Sequence, residues 1–216
     1  MEQNELKILA QNLANPQGEK GIEIGEMMNE TNLGMTLVSI KALSVEDGNH
    51  ILEIGHGNGR HVENLLARAE NLRYIGIDIS ETMHVEAEKN NKNFQDKAEF
   101  VLYEGEILPF EDKTFDKIFT VNTVYFWENP VNFLNGIYRI LKDNGTFVLT
   151  FGQRNFMEKL PFTPYNFNLY NNDEMEQLIS ESHFKRMKIS EKEEEIKSKT
   201  GEEFIKRKYT VLTINK

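Results

Sequence analysis

The chain has 216 residues and a formal net charge of −10, from 35 Asp plus Glu against 25 Lys plus Arg. That length suits one domain, the 39% apolar share supplies a sizeable core, and the acidic balance disfavours a nucleic-acid phosphate backbone as partner. The absence of cysteine excludes disulfide frameworks, thiolate zinc sites and cysteine nucleophiles.

The chain starts Met1-Glu2-Gln3-Asn4-Glu5, acidic and polar where a secretory signal has a basic start and an apolar stretch. No apolar run approaches the ~20 residues of a membrane-crossing helix. The expectation is a cytoplasmic protein without a membrane span. Leu6, Leu9 and Leu13 predict a short amphipathic helix over 4–14, which Pro16 and Gly18 end. Further helical patterns cover about 21–29 and 35–43, as a lid or packing layer before the first strand.

From residue 49 onward, short β-rich apolar runs alternate with helical patterns. Strands are predicted at 51–54, 74–79, 98–103, 115–121 and 146–151, and helices at 60–69, 81–90 and 130–141. This alternation implies right-handed crossovers and a mainly parallel sheet covered on both faces. Gly145 is expected in the left-handed position that ends the helix before the fifth strand. Residues 173–182 read as a helix. Residues 184–191 and 203–215 read as two antiparallel strands around a turn containing Gly201, and the mixed-charge stretch 191–199 reads as a solvated face or loop.

The most informative passage is Glu53-Ile54-Gly55-His56-Gly57-Asn58-Gly59-Arg60-His61, where a buried strand runs into a glycine-rich turn and then a helix. Such a turn brings backbone N–H groups close to a ligand, because glycine has no Cβ to block the approach. A nicotinamide dinucleotide site would need glycine or alanine where Arg60 stands. Further along, the second strand ends in Asp78, which can accept from both ribose hydroxyls of a nucleoside, while Ser80 is the better helix cap. Tyr103-Glu104-Gly105-Glu106-Ile107-Leu108-Pro109-Phe110 then precedes Thr114-Phe115-Asp116.

Together these passages resemble the class I, seven-stranded S-adenosylmethionine-dependent methyltransferases, in a small-molecule branch. Their glycines at 55, 57 and 59 behind Glu53 resemble motif I of that family, and Asp78-x-Ser80-x-x-Met83 resembles its second motif. The 105–110 passage is similar to its G-D-A-x-x-L-P-F, with Glu106 where Asp is commoner, and 138–145 is similar to its R-V-L-K-P-G-G, with Asp143-Asn144 replacing Pro-Gly. The resemblance covers about 45–151 well and the flanks in outline.

The resemblance implies a doubly wound, mainly parallel seven-stranded α/β sheet, Rossmann-like, with an antiparallel C-terminal hairpin and N-terminal helices. It implies a single domain over 1–216, divided into a helical lid (1–45), a cofactor-binding core (46–151), and a substrate lid, helix and hairpin (152–216). S-adenosyl-L-methionine is the implied cofactor. Its implied contacts are Glu53, Gly55, His56, Gly57, Asn58, Gly59, Asp78, Ile79, Met83, Gly105, Glu106, Ile107 and Asn122. Ile79 and Met83 would flank the adenine ring, and Glu106 would meet its amino group.

Asn122-Thr123-Val124-Tyr125 lacks the prolines of the N/D-P-P-Y motif of amino-directed nucleic-acid methyltransferases, which again favours a small-molecule substrate. Substrate walls are expected from Met28, Asn32, Tyr125, Trp127 and Tyr165, within an aromatic cluster at 125–127 and an ordered lid at 155–170. His50, His56 and His61 are not spaced along one helix face, so no metal site is expected and no catalytic base is nominated. The alternative function is a catalytically silent protein that binds S-adenosylmethionine or a nucleoside. Homodimerisation stays open.

Overall fold

A computed structural model of the chain describes residues 2–197 and 203–216. Two N-terminal helices, α1 (Gln3–Ala14) and α2 (Gly18–Ala42), precede β1 (His50–Ile54), α3 (Val62–Leu66), β2 (Arg73–Asp78) and α4 (Glu81–Asn90). Then come β3 (Ala98–Leu102), β4 (Phe115–Val121), α5 (Pro130–Ile140) and β5 (Leu141–Gly152). The C-terminal part holds α6 (Arg154–Met157), α7 (Asn172–Glu181), β6 (Arg186–Lys197) and β7 (Phe204–Asn215). The seven strands form one sheet in the order β3-β2-β1-β4-β5-β7-β6. The first five run parallel, and β7 pairs antiparallel with both β5 and β6.

The strands are apolar on both faces because helices cover both. Successive side chains alternate between the faces: Ile118, Phe147 and Leu149 pack with Leu134, Ile137 and Ile140 of α5, while Phe119 and Val148 pack with Met35 and Ile40 of α2. Leu52 and Ile54 of β1 face the α5 side and Ile51 the α2 side. Order reverses between β1 and β4, so the strand ends there frame a crevice, the usual ligand position in open α/β sheets.

Four local expectations are corrected. The helical patterns at 21–29 and 35–43 belong to one 25-residue helix. Its polar middle stays helical because packing of the helix against the sheet outweighs local propensity, and the Thr31 hydroxyl is satisfied within the helix by donating to the Met27 carbonyl. Asn144, at φ 66°, takes the left-handed position expected of Gly145. Gly145 is instead needed for close approach, since a Cβ there would sit 2.8 Å from the Lys142 carbonyl oxygen. Residues 191–197 continue β6 instead of looping, because β7 supplies opposite charges across the ladder, Arg207 to Glu194 and Lys206 to Glu193. The expected lid at 155–170 begins inside α6. The hairpin turn with Gly201, and the end of the mixed-charge stretch at 198–199, lie outside the described residues.

Candidate active site

The turn after β1 is shaped by its glycines. Gly55 (φ 79°) and Gly57 (φ 56°) are both left-handed, and Gly55 N–H donates to the Ile77 carbonyl at 2.7 Å, which ties the turn to β2. A Cβ on Gly57 would enter open space, whereas one on Gly55 would collide with the Thr123 methyl. Asp78, buried at the end of β2, bridges the neighbouring segments. Its Oδ2 accepts from Gly57 N–H and its Oδ1 from Ser80 N–H, both at 2.9 Å. Ser80 caps α4 by accepting from Met83 N–H, as its position predicts.

These groups line one cavity beyond the strand ends, roofed by Met28, Asn32 and Thr36 of α2. The roof is fastened at its N-terminal end: Ser80 Oγ donates to the Pro16 carbonyl at 2.5 Å, and Gly18 N–H donates to Thr82 Oγ1 at 3.0 Å. Beneath the turn lies a buried polar network. Glu53 Oε2 accepts from Tyr74 Oη at 2.5 Å and meets His61 Nε2 at 2.7 Å, which leaves Oε1 outside these contacts. Burial, and then the Glu53 carboxylate, push the Tyr74 phenol well above its ordinary value. Tyr74 therefore stays a donor to that carboxylate.

The cavity brings together Glu53, Gly55, His56, Gly57, Asn58, Asp78, Ile79, Met83, Gly105 and Asn122, with Met28, Asn32 and Trp127. Tyr125 lines a second, adjoining cavity. Four expected residues line neither. Gly59 instead seats α4, because a Cβ there would lie 3.1 Å from that of Ala87. Gly105, at φ 91°, turns the loop so that Glu106 and Ile107 point to solvent, Ile107 being 79% exposed. Tyr165 packs beside α1, its ring 5.8 Å from Lys7 Nζ.

Phe126, from the expected aromatic cluster, lines both spaces and Thr123 the first, whereas Tyr103 in the first and Arg207 in the second were not expected from the sequence. Arg207 had a legible signal. It shares the strand parity of Tyr209 and Val211, which face the core, so a charge was placed inward.

His56 is buried within the turn, and its Nδ1 lies 2.7 Å from the Gly57 carbonyl oxygen. Its Nε2 has no hydrogen-bond partner. Burial pushes the imidazole below its ordinary 6.5, against the pull of Asp78 and Glu53. The unfolded chain then binds the proton more readily, so this contribution to stability is present above 6.5 and is lost as pH falls through the lowered folded value. Urea unfolding of the wild type is expected to show a falling midpoint between about pH 7.5 and about pH 5.5, with a shallower slope for His56→Phe. Equal slopes would remove His56 as a source of the acid sensitivity.

Residues 52–149 match the family model of the Methyltransferase domain. The chain is 28% identical over 130 residues to the uncharacterized methyltransferase YdaC of Bacillus subtilis, covering 60% of this chain and 71% of that protein. It is 23% identical over 124 residues to erythromycin 3''-O-methyltransferase of Saccharopolyspora erythraea, covering 56% of this chain but only 40% of that one. The crystal structure of YcgJ from Bacillus subtilis superposes with a TM-score of 0.72 at 16% identity, over 85% of this chain and 98% of that one. Residues 52–149 thus match a methyltransferase domain, and the glycine turn, the β2 carboxylate and the β3-β2-β1-β4-β5-β7-β6 sheet share the frame of the class I S-adenosylmethionine-dependent methyltransferase fold.

Proposed function

We propose that the chain transfers a methyl group from S-adenosylmethionine to a small organic acceptor by in-line displacement, with positioning as the main catalytic device. The observation that carries this reading is a pair of adjoining cavities. The cavity under the glycine turn shares Leu13, Met28, Asn32, Asn122 and Phe126 with a second, mainly apolar cavity. When bound, the cofactor supplies a sulfonium-activated methyl with a good leaving group.

The chain's own residues fit that group. Each Asp78 oxygen accepts one backbone N–H and retains a lone pair for a ribose hydroxyl. The open space above Gly57 admits a ligand that any side chain would obstruct. Ile79 and Met83 offer apolar contact for the adenine, with Gly105 and Tyr103 beside them in place of Glu106. Glu53 Oε1 provides a negative partner for the cofactor's ammonium. The roof of α2, fastened at its N-terminal end, covers the space in which acceptor and donor would be held in line, where pre-arranged geometry lowers the barrier most. A small acceptor agrees with the named substrate of the erythromycin methyltransferase and with the net charge of −10.

Incubation with tritium-methyl S-adenosylmethionine and a metabolite extract tests the reading. Label is expected in the small-molecule fraction. Label in precipitated protein or RNA would replace the acceptor class, and no label in any fraction would support the catalytically silent alternative.

A further inference from the structure

Resting on the methyltransferase reading, we infer that the acceptor is an apolar carboxylic acid, methylated on a carboxylate oxygen held between Asn32 and Arg207. The second cavity is walled mainly by aromatic and aliphatic side chains such as Phe126, Phe156, Phe162 and Phe167, and among the described residues Arg207 is the only charged one in its lining. An acceptor there loses its water over most of its surface, so its skeleton must be apolar.

The polar groups at the junction of the two cavities have fixed roles. Asn122 Oδ1 accepts from the backbone N–H of Gly152 at 3.3 Å, and an N–H can only donate, so the Asn122 amide is oriented and its Nδ2 is a donor. That Nδ2 donates to Asn32 Oδ1 at 3.2 Å. The same Asn32 oxygen accepts from the Arg207 guanidinium at 2.9 Å, and a guanidinium also only donates. Asn32 Oδ1 is thus taken twice by protein donors. What Asn32 has left is its Nδ2, a donor, and it lines both cavities.

Arg207 is held in the same way. It is buried, with Nε and Nη2 donating to Glu194 Oε1 at 3.1 and 2.5 Å and Nη2 also to the Thr31 carbonyl at 2.8 Å. Four of these contacts, counting Asn32, leave one of its five N–H groups unassigned, on Nη1. Both remaining groups at the junction are therefore donors, and they select a ligand oxygen. A protonated amine would instead meet donors only.

Carboxylates need no deprotonation near neutral pH, and the residues common to both cavities, Leu13, Met28, Asn32, Asn122 and Phe126, include no base. In the step, a carboxylate oxygen attacks the methyl carbon and forms the O–C bond. The C–S bond breaks, its electron pair stays on sulfur, and the products are the methyl ester and S-adenosylhomocysteine. No proton moves.

The test uses decanoate and decylamine as probes, matched in chain length and opposite in headgroup. First, S-adenosylhomocysteine binding to the wild type is measured by calorimetry, and absence of binding overturns the methyltransferase reading itself. Each probe is then titrated into the S-adenosylhomocysteine complex, with the fluorescence of the single tryptophan, Trp127, as readout. Decanoate is expected to bind at least about tenfold more tightly than decylamine. Asn32→Asp keeps the acceptor for Arg207 and Asn122 but replaces the free donor with a charge. It is expected to unfold at an unchanged midpoint and to lose decanoate binding by more than about tenfold. Decylamine binding as tightly as decanoate, binding of neither, or Asn32→Asp retaining decanoate affinity would each overturn the inference while leaving the cofactor reading intact.

Discussion

Asp78→Ala is expected to weaken S-adenosylhomocysteine binding about 100-fold, or about 2.7 kcal/mol. The substitution removes the group assigned to both ribose hydroxyls, and hydrogen bonds to a charged acceptor contribute roughly 1.5–3 kcal/mol each. It also frees Gly57 N–H and Ser80 N–H, which now donate to that carboxylate at 2.9 Å, so the turn and the start of α4 lose their common anchor. Asp78→Asn separates the two effects. Its carbonyl oxygen still serves one of the N–H groups, but its amide can no longer accept from both hydroxyls, and an intermediate affinity is expected. Calorimetry of both variants decides it. A binding constant within about threefold of wild type for Asp78→Ala would remove the ribose assignment.

The second large effect is expected at Gly55. Alanine there must adopt φ 79° and push its methyl into the Thr123 side chain. The backbone conformation alone costs about 1–2 kcal/mol, and the clash brings the expected loss to about 2–4 kcal/mol by urea unfolding. Thr123→Ser removes the methyl that collides while keeping the hydroxyl, which lies 2.5 Å from Thr120 Oγ1. The double variant Gly55→Ala/Thr123→Ser is therefore expected to recover the clash component and retain the backbone cost. If the two changes were additive in a double-mutant cycle, the contact between the β1 turn and the 3₁₀ turn at Val124–Phe126 would not limit Gly55.

These two positions were legible in the sequence for different reasons. Gly55 follows a buried strand directly, and glycine takes the left-handed conformation there without strain and without a Cβ to meet Thr123. Asp78 ends the next strand, where topology alone puts a side chain at the crevice. The order of strands and helices was equally legible, because two-faced burial writes continuous apolar runs and the helices between them carry their own period. Harder to read was anything that depended on a neighbour far along the chain. The run 191–197 is polar enough for a loop, yet it pairs as a strand because β7 offers complementary charge. The gap between two helical patterns vanished because α2 lies across the sheet and is held there by packing.

Glu106 shows the same limit within the site. Its motif position marks it as an adenine partner, but the φ of one glycine before it decides which way the loop faces, and it faces solvent. The sequence by itself therefore determined the α/β class, the glycine-rich turn and the carboxylate opposite it, because those follow from local conformation and strand order. Only the tertiary structure decided which polar groups meet where the two cavities adjoin. Asn32 lies 90 positions from Asn122 and 175 from Arg207, and these residues acquire complementary roles when α2, β4 and β7 meet over one crevice. Their donor and acceptor assignments come from shared hydrogen bonds, which no spacing along the chain encodes.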